Sequence, residues 1–341
     1  MSTQRERYAC GWQGVPIHYN MCGKGEPALV CCNGLGVSTF FWKYVLEYFK
    51  GTHQVITWEY RGHYTSGTPE RMTPNKFTMT ANAHDLAAVL DACGVSRAVV
   101  LGHSMGCQVL LEFWKRHPHR VAGLVPVCGP YGRPLDTFFY TPQLAHPLFD
   151  ALYALTTSNP RLVEAVLRPL LRSRLPFDIA RLGIINPQLA SLDDMRPYFD
   201  HLAKMDLQVF FFMARQMQRH NAGPWLHAIN VPVLIVAGEA DFFTPLALSF
   251  EMRKKIPGAE LLLLPKGSHA GLIEHPELLN LRIEKFLRER VEPFLKRNAA
   301  AHRRRQPSRK RRQPDQAAAM PHKSIAPQED ALAAGTSRPH R

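Results

Sequence analysis

A serine between two glycines is the first candidate for chemistry in this chain. Gly102, Ser104 and Gly106 form the pattern G-x-S-x-G, after a β-branched run at 98–101 and before a helix-like segment at 107–114. A strand that turns this sharply into a helix strains the serine backbone, and side chains at both glycine positions would collide. The sequence therefore predicts an exposed Ser104 hydroxyl beside a helix N-terminus, where backbone N–H groups favour negative charge.

A nucleophilic serine needs a general base, and the base needs an acid that orients it. Asp241 lies just past the apolar run 231–238, and His269 lies just past the apolar run 259–265. Both runs are typical of buried strands. Because parallel sheets gather their functional loops at the carboxyl ends of the strands, we expect Ser104, Asp241 and His269 to meet there.

The chain resembles the α/β-hydrolase fold superfamily, whose nucleophile, acid and histidine follow one another in this order. The resemblance extends from about Tyr8 to about Phe294 and rests on five segments: 102–106, 238–245, 267–269, 116–125 and Tyr60-Arg61-Gly62-His63. It implies an α/β fold. The expected core is a mostly parallel, doubly wound sheet with an N-terminal antiparallel hairpin, and a helical cap is inserted into it.

The resemblance also implies an oxyanion hole made of two backbone N–H groups. It assigns one to Met105 and the other to Leu35, in the loop after the predicted strand 28–32. The family usually has histidine where this chain has Asn33, whose amide can still donate hydrogen bonds that brace the loop. The predicted supporting positions are Asn33, Gly34, Gly102 and Gly106.

The middle of the chain differs in pattern from the rest. Strand signals fade over 130–229, and apolar helical stretches rich in aromatic residues replace them. We interpret this segment as a cap over the cleft, with the hydrolase core at 1–129 and 230–295. A cap of this composition favours an apolar cleft and a hydrophobic acyl or alkyl substrate.

Several classes of protein are excluded by composition. The N-terminus lacks the apolar run of a signal peptide, and no apolar run is long enough to span a membrane. The seven cysteines contain no C-x-x-C pair, so reduced, buried thiols in a cytoplasmic enzyme are expected. Histidines and acids show no metal-ligand spacing, and we expect neither a metal nor a cofactor.

The last segment, 296–341, carries twelve Lys and Arg against three Asp and Glu. This composition predicts a disordered basic tail, and a solubilising extension is the preferred interpretation. The alternative is weak, salt-sensitive contact of residues 302–312 with a polyanion or an anionic surface. Aromatic residues are not interleaved there, so we expect no specific nucleic-acid binding.

These residues lead to the hypothesis of a serine hydrolase that cleaves a small hydrophobic ester or related acyl substrate. Serine rather than aspartate at the elbow argues against the dehalogenases and epoxide hydrolases of the superfamily. Perhydrolysis and hydrolysis of a C–C bond use the same triad in related proteins and stay open as alternatives. A non-catalytic scaffold, or a polyanion-binding protein acting through its tail, is the alternative of another class. The sequence leaves the acyl chain length and the oligomeric state open.

Overall fold

The computed structural model describes residues 7–181 and 183–305. In this part of the chain, eight strands form one sheet in the order β1-β2-β4-β3-β5-β6-β7-β8. The strands are β1 (Arg7–Cys10), β2 (Pro16–Cys22), β3 (Ala28–Cys32), β4 (Val55–Trp58), β5 (Ala98–His103), β6 (Val121–Val127), β7 (Leu234–Gly238) and β8 (Glu260–Leu264).

The strand directions match the predicted architecture. β1 and β2 pair antiparallel with each other, and β2 pairs antiparallel with β4. β3 to β8 run parallel, and the ends of neighbouring strands are aligned: His103 pairs with Val127, and Gly238 pairs with Leu264. The predicted fold class, an α/β-hydrolase sheet with an N-terminal antiparallel hairpin, is confirmed, and the carboxyl ends of the parallel strands share one edge.

Helices connect the parallel strands and continue beyond the last one. They are α1 (Lys43–Phe49), α2 (Met79–Ala92), α3 (Met105–Arg116), α4 (Pro142–Ser158), α5 (Pro160–Arg172), α6 (Leu175–Ala180), α7 (Leu192–Leu202), α8 (Leu207–Arg219), α9 (Leu246–Lys255), α10 (Gly271–Glu274), α11 (Pro276–Phe286) and α12 (Glu292–Arg305). Helices α4 to α8 occupy the segment between β6 and β7. None of the helices in the described part of the chain combines the length and apolarity needed to cross a membrane.

Both faces of the central strands are buried, because successive side chains of a strand point to opposite faces. In β5, Val100 packs into the core on the side of α2 and α3. Its neighbour Val99 packs on the other side, with Val45 of α1 and Ile283 of α11. This double burial explains why the strands appear in the sequence as continuous apolar runs and not as alternating ones.

A buried ion pair holds the turn after β4 against α2. Arg61 and Asp85 are both fully buried, and two hydrogen bonds of 2.7 and 2.6 Å join the guanidinium to the carboxylate. Asp85 also accepts a 2.8 Å hydrogen bond from the backbone N–H of Trp12. The pair thus links the N-terminal hairpin, α2 and the turn that carries His63.

Breaking this pair is expected to destabilise the fold. Asp85→Ala leaves the Arg61 guanidinium buried without its partner, which costs about 3–5 kcal/mol of unfolding free energy. Urea unfolding followed by circular dichroism measures the change. Asp91→Ala is the control, since Asp91 lies on the same helix but is 67% exposed in its ion pair with Arg120, and a change below about 1 kcal/mol is expected there. Equal changes in the two variants would contradict the assignment.

The predicted disordered tail is partly corrected by the structure of its first residues. Helix α12 runs to Arg305, so residues 296–305, predicted as the start of a disordered tail, are helical. The physical reason is composition, because alanine, lysine and arginine are strong helix formers. The rest of the predicted tail, 306–341, lies outside the described residues, and with it lies most of the basic run 302–312.

Candidate active site

The strand–turn–helix around Ser104 has the strained geometry expected of G-x-S-x-G. Ser104 has φ 55° and ψ −118°, a backbone conformation that non-glycine residues rarely adopt. A side chain at Gly102 would overlap the carbonyl of Gly106, and one at Gly106 would overlap the carbonyl of Cys32 at the end of β3. The glycines therefore allow α3 to begin directly against β3, and this places Ser104 at the edge of the sheet.

The three side chains predicted to act together lie within hydrogen-bonding distance. The Ser104 Oγ is 2.9 Å from Nε2 of His269, and Nδ1 of His269 is 3.0 Å from Oδ2 of Asp241. All three residues are buried, with Ser104 at 5%, Asp241 at 3% and His269 at 8% exposure, so the prediction of an exposed Ser104 hydroxyl is wrong: the residue lines an internal cavity. In the tautomer with the proton on Nδ1, the imidazole donates to Asp241 and accepts from the serine hydroxyl.

The Asp241 carboxylate is held on both oxygens. Its Oδ1 accepts hydrogen bonds from the backbone N–H groups of Phe243, at 2.9 Å, and Thr244, at 2.8 Å. Its Oδ2 accepts a 2.7 Å hydrogen bond from the Thr244 hydroxyl, beside the bond from His269. These donors fix the direction of the carboxylate, because each occupies a separate lone-pair position.

The loop that carries His269 is held by a second buried carboxylate. Oε2 of Glu274 accepts a 2.6 Å hydrogen bond from the Ser268 backbone N–H, and Oε1 accepts from the Ser268 hydroxyl and, at 2.7 Å, from the Asn186 backbone N–H. The loops after β7 and β8 are also joined directly, since the Ala240 N–H donates to the Gly267 carbonyl at 2.8 Å. The positions of His269 and Asp241 are therefore coupled through the backbone.

His103, next to Ser104 in the chain, holds the backbone of His269 in place. Its Nε2–H donates to the His269 carbonyl at 2.9 Å. Burial, together with the nearby His269 imidazole, lowers the pKa of His103 to about 3. The ring therefore stays neutral near pH 7 and adds no positive charge next to the base.

The loop between β3 and α1 is braced by polar groups at both ends. Nδ2 of Asn33 donates to the Trp58 carbonyl at 2.9 Å, and the Trp42 indole N–H donates to Oδ1 of Asn33 at 2.9 Å. At the other end, Oε1 of Glu59 accepts a 2.6 Å hydrogen bond from the Ser38 hydroxyl and a 3.0 Å hydrogen bond from the Thr39 N–H. The asparagine side chain therefore braces the protein interior and does not point at a substrate.

Glu59 connects the two ends of this loop, because its Oε2 lies 3.4 Å from Nδ2 of Asn33. The residue is 1% exposed, and no salt bridge to it is found within the described residues. Burial raises the pKa of Glu59 to about 7, although the hydrogen bonds from Ser38 and Thr39 act in the opposite direction. A buried carboxyl that contacts both ends of one loop restricts how that loop can move.

The two residues predicted to supply the oxyanion hole both lie close to the serine. Met105 begins α3, and Leu35 lines the same cavity as Ser104 and His269. A side chain at Gly34 would come within 3.3 Å of Ser104 Cβ, so this loop passes directly over the serine. Within the described residues, the backbone hydrogen bonds of turns, loops and caps include none donated by the Leu35 or the Met105 N–H. Both donors are available to an oxyanion.

An apolar cavity of about 320 Å³ opens onto the Ser104 hydroxyl. Its walls come from the loops around the three side chains and from helices α4, α7 and α8, which contribute residues such as Phe149, Tyr198 and Phe210. The polar groups among its described lining residues belong to His103, Ser104, Tyr198 and His269, and no Lys, Arg, Asp or Glu lines it. In the same described part of the chain, no group of three His, Cys, Asp or Glu residues is arranged to bind a metal ion.

Three supporting residues were not predicted from the sequence: Glu59, Thr244 and Glu274. Thr244 lies three residues after Asp241, a spacing at which a hydroxyl can return to a carboxylate, so the sequence held a weak local signal. Glu274 follows an apolar stretch, and Glu59 directly follows a strand. Nothing in a sequence distinguishes such buried acids from exposed ones, because burial is set by tertiary packing and partners such as Asn186 lie far away in the chain.

Comparison with known proteins agrees with this fold. A family model described as the alpha/beta hydrolase fold matches residues 27–276, more than half of the chain. A 2-hydroxy-6-oxononadienedioate/2-hydroxy-6-oxononatrienedioate hydrolase of Burkholderia vietnamiensis is 28% identical over 278 residues, which cover 80% of this chain and 91% of that protein.

Solved structures show the same fold at lower identity. A thermophilic esterase from Thermogutta terrifontis superposes with a TM-score of 0.67 at 19% identity, covering 84% of this chain and 98% of the esterase. Est816, described as an N-acyl homoserine lactone degrading enzyme, superposes with a TM-score of 0.63 at 23% identity, covering 82% and 100% of the two chains. At these identities the likeness concerns the fold alone.

Proposed function

The chain belongs to the α/β-hydrolase fold family, and from this premise we propose that it hydrolyses a neutral, hydrophobic carboxylic ester through Ser104, His269 and Asp241. The observation that carries the proposal is the chain of hydrogen bonds, 2.9 and 3.0 Å long, that runs from the serine through the histidine to the aspartate. The serine end of this chain opens into a cavity without charged lining residues. A nucleophile, its base and an apolar acyl pocket are the parts that ester hydrolysis needs.

In the proposed acylation, Nε2 of His269 takes the proton of the Ser104 hydroxyl while Oγ attacks the ester carbonyl. The carbonyl oxygen becomes an oxyanion, which accepts hydrogen bonds from the N–H groups of Leu35 and Met105. Collapse of this intermediate breaks the bond to the alcohol, which leaves with the proton from Nε2. The Asp241 carboxylate stabilises the imidazolium formed between these steps.

Deacylation repeats the sequence with water. His269 takes a proton from water, and the resulting hydroxide attacks the Ser104 acyl ester. The oxyanion forms at the same two N–H groups, and its collapse releases the acid and returns the proton to the serine oxygen. The net reaction is ester plus water to acid plus alcohol: the serine proton leaves with the alcohol in acylation, and a proton from water replaces it in deacylation.

We also assign the segment 130–229 as a cap over this cleft. The assignment is supported by α4, α7 and α8, since all three helices lie between β6 and β7 and all three contribute side chains to the cavity wall. The core of the enzyme is then formed by residues 1–129 and 230–295. A cap of this kind shields the reacting carbonyl from water, so each hydrogen bond to the oxyanion is stronger.

The cavity predicts a preference for uncharged acyl chains. A carboxylate at the far end of the acyl group would be buried without a cation, which costs about 3 kcal/mol, or about a hundredfold in kcat/KM. The measurement compares p-nitrophenyl hexanoate with the p-nitrophenyl monoester of adipic acid, which differs from it by a terminal carboxylate. Along the neutral series from acetate upward, kcat/KM is expected to rise about fourfold per CH2 until the cavity is filled.

Equal turnover of the neutral and the carboxylated ester would contradict the proposed substrate class. Hydrolysis of a C–C bond is a second candidate, because the relative from Burkholderia vietnamiensis is named as a hydrolase of 2-hydroxy-6-oxononadienedioate and not of an ester. The same panel therefore includes 2-hydroxy-6-oxononadienedioate. A kcat/KM above that of p-nitrophenyl hexanoate would make this second reaction the function.

The Glu59 brace is expected to affect the rate more than the binding of the substrate. Glu59→Gln puts an NH2 group where one carboxylate oxygen accepts a hydrogen bond, so either Asn33 or the Ser38–Thr39 end loses its acceptor. The loop that carries Leu35 then loses its fixed position, and kcat for p-nitrophenyl hexanoate should fall about tenfold. KM should change by less than about twofold, because the apolar lining is retained.

Glu47→Gln is the matched control, since Glu47 is a surface residue with a 73% exposed side chain on the neighbouring helix α1. Its kcat should equal that of the unmodified enzyme. Glu59→Asp keeps both acceptor oxygens and should recover part of the lost kcat. Unchanged kcat in Glu59→Gln, or a change confined to KM, would show that Glu59 does not position the loop.

A further inference from the structure

Helix α4 has one face towards the cavity and the opposite face towards solvent. Phe149 lines the cavity, and Thr156 is buried. On the outer side, Leu144, Leu148 and Leu155 are 69%, 63% and 43% exposed. Their spacings of four and seven residues place them on one side of the helix. These leucines therefore form an apolar stripe that contacts water and not the core.

Helix α5 repeats the arrangement. Leu162, Val166 and Leu170 follow one another at intervals of four residues and are 56%, 55% and 44% exposed, whereas Val163 is buried. Two large hydrophobic residues of α6, Leu175 and Ile179, are exposed as well. The exposure thus extends along consecutive elements of this segment and is not confined to single side chains.

The two stripes belong to one surface of the molecule. Helices α4 and α5 pack against each other, and both pack against α8, so their outer faces point away from the same buried helix. We call the six exposed residues of α4 and α5 the outer apolar patch: Leu144, Leu148, Leu155, Leu162, Val166 and Leu170. Large exposed apolar side chains grouped on adjacent helices are typical of interaction sites in soluble proteins.

Positive charge borders the patch. Arg161 and Arg172 of α5 are exposed, and neither forms a salt bridge among the residues that the structure describes. The acids of these two helices are each paired with an arginine, Glu164 with Arg168 and Asp150 with Arg215. An apolar stripe edged by arginines is the pattern of a helix that lies in a membrane interface, where the guanidinium groups reach the headgroups.

We propose that the outer apolar patch docks on the surface of an anionic phospholipid bilayer. The leucine and valine side chains enter the headgroup boundary, while Arg161 and Arg172 contact the lipid phosphates. A second copy of this chain fits the surface less well, because it would bring the same unpaired arginines to the contact. The proposal goes beyond ester hydrolysis and does not depend on which ester is cleaved.

The position of α4 connects membrane docking with the supply of substrate to the cavity. Its outer stripe would contact the bilayer while its inner face lines the cavity, so a single helix separates the lipid phase from the apolar pocket. A hydrophobic substrate dissolved in the bilayer would then be concentrated next to the cap. Membrane association through the patch therefore suits the substrate class that the cavity predicts.

Co-sedimentation with vesicles tests the proposal. The full chain is mixed with vesicles of phosphatidylcholine alone and of phosphatidylcholine with phosphatidylglycerol. We expect binding to the mixed vesicles and weaker binding at high salt. The triple variant Leu162→Ser, Val166→Ser and Leu170→Ser should bind at least about tenfold more weakly. Arg161→Gln with Arg172→Gln should bind about thirtyfold more weakly.

Leu281→Ser is the matched control, because Leu281 is 57% exposed on α11, outside the patch. It should bind vesicles as the unmodified chain does. The triple variant should keep its turnover of a water-soluble short ester without lipid, since none of the three residues lines the cavity. That assay also separates a failure of the proposed esterase function from a failure of docking.

Three results would overturn the proposal. The first is the absence of sedimentation with mixed vesicles, and the second is equal binding by the triple variant and by Leu281→Ser. The third comes from sedimentation equilibrium: a dimer of the unmodified chain that the triple variant converts to a monomer would assign the patch to self-association.

Discussion

Ser104→Ala is expected to lower kcat for p-nitrophenyl hexanoate by about a millionfold, the scale of losing the nucleophile from a serine hydrolase. The alanine removes the Oγ that lies 2.9 Å from the His269 base, so no acyl-enzyme can form. A residual rate above water is expected, because the Leu35 and Met105 N–H groups and the cavity are unchanged. Steady-state kinetics measures the loss, and the mass shift with a fluorophosphonate probe reports on the nucleophile directly.

Ser104→Ala removes the nucleophile and leaves the backbone of the turn unchanged. Ser104 is strained at φ 55°, and alanine can occupy the same backbone conformation without adding atoms. Ser96→Ala, at an exposed position before β5, is the control and should label and turn over as the unmodified enzyme does. If Ser104→Ala keeps more than a few per cent of the activity, or still gains the mass of the probe, the proposed mechanism is wrong.

Much of the fold could be predicted because its signals are local. The G-x-S-x-G turn fixes a strand, a helix and the glycines between them, and the structure explains both glycines by overlap with backbone carbonyls. The runs before Asp241 and His269 are continuous and apolar, as strands buried on both faces must be. Two loops that each follow such a strand must emerge at the same edge of a parallel sheet.

The groups that hold the site in place were not predictable in the same way. Asn33 was expected to brace its loop, but its partners Trp42 and Glu59 depend on how β3, β4 and α1 come together. Glu274 lies five residues after His269 and nevertheless contacts Asn186, 88 positions away in the chain. Hydrogen bonds over such separations are set by tertiary packing, and no sequence periodicity reports them.

The segment 130–229, which we propose as a cap, shows a different limit of sequence reasoning. Its apolar content predicted burial against a cleft, and part of it does line the cavity. The leucines on the outer face of α4 cannot be distinguished in the sequence from those that line the cavity, but they are exposed. A single layer of helices has one face towards the core and another towards solvent. Helical periodicity shows which residues share a face, but it does not show what that face contacts.

Asp241→Asn is expected to lower kcat by about ten-thousandfold, for a reason visible in the hydrogen bonds. The Oδ1 position accepts from two backbone N–H groups, so the amide oxygen must occupy it and the NH2 must face His269. That NH2 donates to Nδ1, which moves the imidazole proton to Nε2. A protonated Nε2 cannot accept from Ser104, and the base is lost while the side-chain shape is kept. Steady-state kinetics near pH 7 measures the effect.

The Asp241→Asn prediction has a surface control, and it is tested further by a double variant with His269→Ala. Asp193→Asn, at a carboxylate that is 88% exposed, should leave kcat unchanged. If Asp241 acts only through the imidazole, adding Asp241→Asn to His269→Ala should slow the reaction no further than His269→Ala alone. A double variant much slower than His269→Ala would show that the aspartate acts on the substrate or the fold independently. Non-additivity thus separates an aspartate that orients the base from one that merely stabilises its loop through Thr244.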